Sequence, residues 1–261
     1  MQRRALGGAV QVGFMLLLVV GIRAEAAALK VLSAIGMQVV MEDLGPQCER
    51  ATGHTLALTI DSTERVVKRV HGGETADVII LPRQGIDGLV KDGKAAAGTV
   101  TAIAQSGIGL AVRQGAPKPD IASPDALKRT LLAAKAITYN NPESGAASGV
   151  HFAKVLERLG IADAMQPKTV FPKLPGTAGF GREVLNGEAD IAINQIQVLM
   201  TVPGLEVVGP LPGDLQNTIV SAAAMMDSTT NRDAAQALIQ FLRTPEVAAV
   251  IKAKGMEPAT P

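Results

Sequence analysis

Short apolar runs and longer stretches with an apolar side chain every third or fourth position take turns along this chain. These two periods distinguish buried strands from amphipathic helices. Strands are predicted over residues 29–34, 55–60 and 77–81, and Val78, Ile79, Ile80 and Leu81 form a continuous apolar run, as in a strand covered on both faces. Helices are predicted over 37–51, where Gly45-Pro46 marks a kink or a restart, over 63–70 with Val66, Val67 and Val70 inward, and near 86–90. Beyond them come strands at 108–113, 136–139, 169–171, 191–194 and 219–225. Phe152, Val155, Leu156 and Leu159 mark a helix, and others are predicted over 177–185, 231–242 and 245–254. Ser123-Pro124-Asp125 starts a helix, with a serine cap and proline in the first position; Gly255 and Pro258 stop the last one.

Repeated strand–helix units with short connections predict an α/β fold of mostly parallel sheets with helices on both faces. Ligands in such sheets bind beyond the carboxyl ends of the strands. Three polar or glycine-bearing turns fall there, each before a helix: Ser33-Ala34-Ile35-Gly36, Asp61-Ser62-Thr63, and the turn from Asn140 through Pro142, Glu143, Ser144, Gly145, Ala147 and Ser148 to Gly149. Helix N-termini leave backbone N–H groups unpaired and favour negative charge, so the three turns together predict one anion-binding cleft.

Composition narrows the possibilities. Arg3, Arg4, an apolar run over 12–22 and Ala24-Glu25-Ala26 read as a secretory signal, with cleavage near Ala27 and export to the periplasm. About 235 of the 261 residues would remain, and no later run reaches the ~18 apolar residues of a membrane span. Twenty-five Lys and Arg against 24 Asp and Glu, with no basic stripe, argue against a nucleic-acid partner. Cys48 is the only cysteine, which rules out an intrachain disulfide and predicts a small core residue. With no Trp and one Tyr, nucleobase stacking is disfavoured. His54, His71 and His151 lie far apart in sequence, and none belongs to a zinc-type spacing, so no metal is expected.

The order of these turns, with Leu29-Lys30-Val31-Leu32-Ser33-Ala34, Ala51-Thr52-Gly53-His54, Ala76-Asp77-Val78, Gly187-Glu188-Ala189-Asp190-Ile191 and the tail from Phe241-Leu242-Arg243-Thr244-Pro245-Glu246 to Gly255-Met256-Glu257-Pro258, resembles the type II periplasmic binding proteins. The likeness is to their molybdate-binding-protein-like branch and covers the whole mature chain. It implies two α/β lobes, residues 27–105 plus 212–261 and residues 106–211, closing by hinge motion on a ligand between them. The segments Gly145-Ala146-Ala147-Ser148-Gly149-Val150-His151-Phe152 and Gly209-Pro210-Leu211-Pro212-Gly213-Asp214-Leu215-Gln216 are similar to the group that includes the periplasmic aconitate isomerases. That resemblance implies interconversion of trans- and cis-aconitate by an allylic proton shift, without cofactor. A solute-binding subunit that hands an anion to a membrane permease is the alternative, because fold does not decide function. Either way the chain is expected to act as a monomer on a small anion.

Departures from the molybdate pattern bear on the ligand. Ile35-Gly36-Met37 stands where a serine is expected, and Gln195, within Asn194-Gln195-Ile196-Gln197, stands where the branch has tyrosine. Ser62 is kept, but Asp61 and Thr63-Glu64-Arg65 replace its usual glycine neighbours. Arginines at cleft positions point to carboxylates, which guanidinium groups match bidentately. Arg65, in a first helical turn where the dipole disfavours a cation, and Arg83, after Pro82, are the foremost; Arg113 and Arg182 are weaker candidates. Substrate contacts are therefore expected from Gly36, Ser62, Thr63, Arg65, Arg83, Ser144, Gly145, Ala147, Ser148 and Gln195. Glu143 and His151 lead the candidates for the base, followed by Glu64 and Tyr139.

Overall fold

The computed structural model describes residues 26–173 and 179–259. The predicted signal, the turn Pro175-Gly176 and the first residues of the helix predicted over 177–185 lie outside them.

Strand β1 (Ala28–Ala34) leads through a short 3-10 turn into helix α1 (Gln38–Thr52), followed by β2 (Thr55–Asp61), α2 (Thr63–His71), β3 (Val78–Pro82) and α3 (Arg83–Lys91). Next come β4 (Thr101–Ser106), β5 (Ile108–Arg113), α4 (Pro124–Ala133), β6 (Ile137–Tyr139), α5 (Ala147–Arg158), α6 (Ala162–Met165), α7 (Arg182–Leu185), β7 (Ile191–Gln195), α8 (Ile196–Met200) and β8 (Leu205–Pro210). The chain ends with β9 (Ile219–Met225), α9 (Arg232–Phe241), α10 (Pro245–Ala253) and β10 (Glu257–Pro258).

Among the described residues these strands form two sheets, one of order β10-β4-β9-β3-β1-β2 and one of order β6-β7-β5-β8. Helices cover both faces of each. In the larger sheet Leu29, Val31 and Ile80 pack against Val40 and Leu44 of α1 and Leu238 of α9, while Ile79 and Leu81 pack against Val66, Val70, Ile86 and Leu89 on the other face. Cys48, 1% exposed, belongs to the first of these layers. In the smaller sheet Leu110 and Ile193 meet Leu127 and Phe152, while Ala111 and Ala192 meet Phe180, Val184 and Leu199. Two lobes result.

Strand directions are mixed rather than mostly parallel. The strand–helix–strand units give parallel pairs, β1 with β2 and β3, and β6 with β7. β9 and β5 run antiparallel to their neighbours, because these strands carry the chain from one lobe to the other and back. The two crossings, at Gly107 and at residues 211–218, lie side by side. Gln216 ties them: its Oε1 accepts from Ile108 N–H at 2.9 Å and its Nε2 donates to Ile108 O at 2.9 Å.

Several local expectations need correction. Helix α1 runs through Gly45-Pro46 without a restart, since Pro46 is on its exposed face, where water can take the freed carbonyl. Residues 169–171 form no strand; Thr169 alone bridges to Ile137 before Pro172 removes the next donor. Among the described residues of the helix predicted over 177–185, only α7 is helical, with Gly181 before it at φ +81°. Helix α3 starts at Arg83, directly after Pro82. Strands β4 and β8 carry Thr, Gln, Glu and Gly among their apolar residues and lack the continuous signal of β3.

Candidate functional site

The carboxyl ends of β1, β2, β6 and β7 point toward one another across the gap between the lobes. Their last residues lead into the turn Ile35–Met37, the cap of α2, the turn before α5 and the start of α8. Where they meet, a throat of about 20 Å³ is lined by Ala34, Ile35, Gly36, Ser62 and Thr63 from one lobe and Asn140, Ala147, Ser148, Asn194 and Gln195 from the other. That is room for about one water molecule. A cavity of about 310 Å³ opens on one side, sharing Ser62 with the throat and adding Asp61, Arg65, Asn141, Ser144, Pro172 and Lys173. A second, of about 520 Å³, opens on the other, sharing Thr63, Pro82 and Ala147 and adding Arg83, Gly145, His151, Lys154 and Asn217. The three form one groove, neutral at its centre and basic at both ends.

Within the throat most polar atoms are satisfied. Ser62, 5% exposed, caps α2 by accepting from Arg65 N–H at 3.3 Å. Asn140 Nδ2 donates to Ser148 Oγ at 3.1 Å, and Asn194 Oδ1 accepts from Gln195 N–H at 2.8 Å. The exception is Gln195 Nε2, buried and without a hydrogen-bond partner among the described residues. An amide donor left unpaired inside a protein costs about 1–3 kcal/mol, so a ligand oxygen at this point would relieve a real deficit.

The lobes touch at the throat. Gln197, fully buried, donates from Nε2 to Gly36 O at 2.9 Å and accepts from Ser106 Oγ through Oε1. Gly145 has φ +68°, and a Cβ there would strike Glu64 of the other lobe. A side chain at that position would be both strained and too large.

The groove brings together Gly36, Ser62, Thr63, Arg65, Arg83, Ser144, Gly145, Ala147, Ser148, Gln195 and His151, which are distant in sequence. Glu143 is not among its lining residues; it is exposed, and its N–H is turned onto Asn141 Oδ1 at 3.0 Å. Ser144 Oγ donates to Asn141 O at 2.7 Å. The cation at the start of α2 needs no ligand to offset it, since Asp61 lies 3.7 Å from both Arg65 and Arg69. Arg83 is exposed and pairs with Asp87 at 2.7 Å. Arg113 sits at the far end of the smaller sheet, where it donates to Val184 O at 2.9 Å and to Leu185 O, closing the last turn of α7. Tyr139 is 6% exposed and packs edge-on against Phe152 and Phe171 at 5.0 and 5.3 Å, so it belongs to the core. Burial pushes its hydroxyl above its ordinary value, and a hydrogen bond with Thr169 partly opposes this.

Lys154 and Lys173 line the groove without having been singled out, and Gln197 lies behind it, bonded to Gly36 O. Lys154 could have been found by its spacing, because Ala147, His151 and Lys154 share one face of α5. Gln197 could have been found as the residue two after Gln195, had the helix start at Ile196 been seen.

Residues 29–257 match the family described as bacterial extracellular solute-binding protein. An aconitate isomerase from a Pseudomonas species is 33% identical over 237 residues, covering 88% of this chain and 87% of that protein. The molybdate-binding protein ModA of Azotobacter vinelandii is 28% identical over 239 residues, covering 89% of this chain and 90% of that one. The solved periplasmic molybdate-binding protein of Azotobacter vinelandii superposes with a TM-score of 0.72 at 22% identity, over 89% of this chain and 99% of that chain.

Proposed function

The chain belongs to the bacterial extracellular solute-binding protein family, and from that premise we propose that its cleft isomerises its ligand, interconverting trans- and cis-aconitate in the periplasm after export on the N-terminal signal. Support comes from the aconitate isomerase that is 33% identical over 88% of this chain. The observation that carries the chemistry is the unpartnered amide of Gln195 at the centre of a groove basic at both ends. Such a groove suits an elongated anion with several carboxylates better than a compact oxyanion.

Aconitate carries a carboxylate on each carbon of a propene unit. Breaking one methylene C–H bond leaves an electron pair spread over the three carbons and onto the conjugated carboxylates. A proton then returns to the opposite carbon, the double bond having moved. No atom is gained or lost. Donors already aimed at the carboxylate that gains charge lower the barrier, and one such donor is worth about 2.7–4 kcal/mol. Gln195 Nε2 fills this role, with Ser62, Thr63, Ser148 and the turns at Gly36 and Ala147 holding the central part of the substrate. Arg65 and Arg83 receive the outer carboxylates. The throat admits a substrate only when it widens, which hinge motion of residues 27–105 plus 212–261 against 106–211 would allow.

Proton NMR of the purified protein with trans-aconitate in D2O tests this reading. Formation of cis-aconitate with deuterium uptake is expected. Tight binding with neither exchange nor isomerisation would leave a transport receptor, the reading that the likeness to the molybdate-binding protein favours.

A further inference from the structure

Among the described residues lining the throat and its two cavities, only two carry a side chain that could accept a proton from carbon, Asp61 and His151. The other ionisable groups there are arginines and lysines. Asp61 is already engaged: Oδ1 accepts from Ser62 N–H at 2.8 Å, and Arg65 and Arg69 each lie 3.7 Å from one of its oxygens. His151 is held differently. Its Nε2 is 2.8 Å from Leu215 O. A carbonyl oxygen can only accept, so Nε2 carries the hydrogen, and in the neutral ring Nδ1 holds the free lone pair. Nδ1 has no partner among the described residues.

We propose that His151 is the catalytic base, an assignment that rests on the isomerase reading above. Nδ1 takes a proton from the saturated carbon of aconitate; the electron pair of that C–H bond becomes the new double bond as the old one opens. The imidazolium then returns a proton from Nδ1 to the far carbon and regains its neutral form. Leu215 is a positioning residue: its carbonyl fixes the tautomer and the orientation of the ring. It lies in the second crossing between the lobes, so the segment that carries hinge motion also orients the base.

The cavity places the base beside its substrate. His151 and Ala147 are one helical turn apart on α5, and Ala147 lines both the throat and the larger cavity. A molecule with one carboxylate against Gln195 and another at Arg83 would run from the throat, past Ala147, into the cavity that His151 lines. The charged groups on this cavity and its flanking elements are Arg83 with its partner Asp87 on α3, Lys154 on α5, Glu64 of α2, whose carboxylate lies against Gly145, and the pair Arg158–Asp214 that ties α5 to the same crossing.

His151→Gln is the decisive variant, because glutamine retains an N–H donor toward Leu215 while removing the lone pair. Turnover by the wild-type protein is measured first; if there is none, the isomerase reading fails and this assignment with it. Given turnover, the variant is expected to keep a native circular dichroism spectrum and to bind trans-aconitate within about threefold by calorimetry. Its kcat should fall about 10²–10⁴-fold, with deuterium exchange lost in parallel. His151→Ala should recover part of its rate with added imidazole. A His151→Gln kcat within threefold of wild type would place the base elsewhere. Loss of binding in a folded variant would make His151 a substrate-holding residue and overturn the assignment.

Discussion

Gly36 and Gln195 face each other across the throat, one from each lobe, so closely that a methyl group on Gly36 would lie 2.5 Å from Gln195 Oε1. Space alone requires this glycine, since its φ is not in the left-handed region. Gln195 is 6% exposed and has little freedom to retreat. Gly36→Ala should therefore hinder closure while leaving each lobe intact. A roughly tenfold weaker Kd for trans-aconitate is expected, about 1.4 kcal/mol, with a melting temperature equal to or slightly above that of the wild type. Unchanged affinity would mean that the lobes do not need to meet here for binding.

The unpaired amide of Gln195 separates stability from function. Its Nε2 lacks a partner among the described residues, so replacing it with an apolar side chain of similar shape removes a deficit rather than a bond. Gln195→Met should melt at the same temperature or higher. If this amide stabilises charge during the reaction, kcat should nevertheless fall about 10²–10³-fold. Gln195→Glu should bind the anion still more weakly, because it buries a like charge beside it. Destabilisation of Gln195→Met would show that the amide is satisfied in solution and serves the fold.

The frame of this molecule was legible where one interaction dominates. β3 announced itself because Val78, Ile79, Ile80 and Leu81 are all fully buried, and α4 because Ser123 caps Ala126 N–H at 3.1 Å just as its sequence promised. Strands β4 and β8 were not legible, since their pairing is decided by the crossings rather than by local periodicity. The site was partly legible for the same reason. Ser62, Ser148 and Gln195 end strands or start helices, positions that the alternating pattern locates. Local residue patterns could not show that Asp61 neutralises Arg65 from within, or that Glu143 turns outward, because both depend on where side chains go after the lobes have packed.

Tyr139 gives a pH prediction with a clean readout, being the only tyrosine in a chain without tryptophan. Burial favours the neutral phenol and raises its folded-state pKa above the unfolded value of about 10. A raised pKa contributes stability that is fully present below the unfolded value and lost as pH rises through the folded one. Tyrosinate absorbance of the folded protein should thus emerge only above pH 10, and stability should start to fall in that range. Ionisation at or below pH 10 in a chain that stays folded would contradict the packing of Tyr139 between Phe152 and Phe171.

Arg83 must change partners if it is to hold a substrate carboxylate. In the free protein it bonds Asp87 at 2.7 Å, one turn along α3, and both side chains are more than half exposed. Such a pair contributes about 0–1 kcal/mol to stability, and that small amount is also what a ligand has to displace. Asp87→Asn should therefore leave the melting temperature nearly unchanged and tighten trans-aconitate binding by up to about fivefold at low salt. Arg83→Gln should weaken it by about tenfold or more, since bonds to charged groups are worth about 1.5–3 kcal/mol. With Gln at position 83 the Asp87 substitution should lose most of its effect, because no guanidinium remains to be freed. Calorimetry on the two single variants and the double variant gives the coupling directly; simple additivity would place Arg83 outside the binding site.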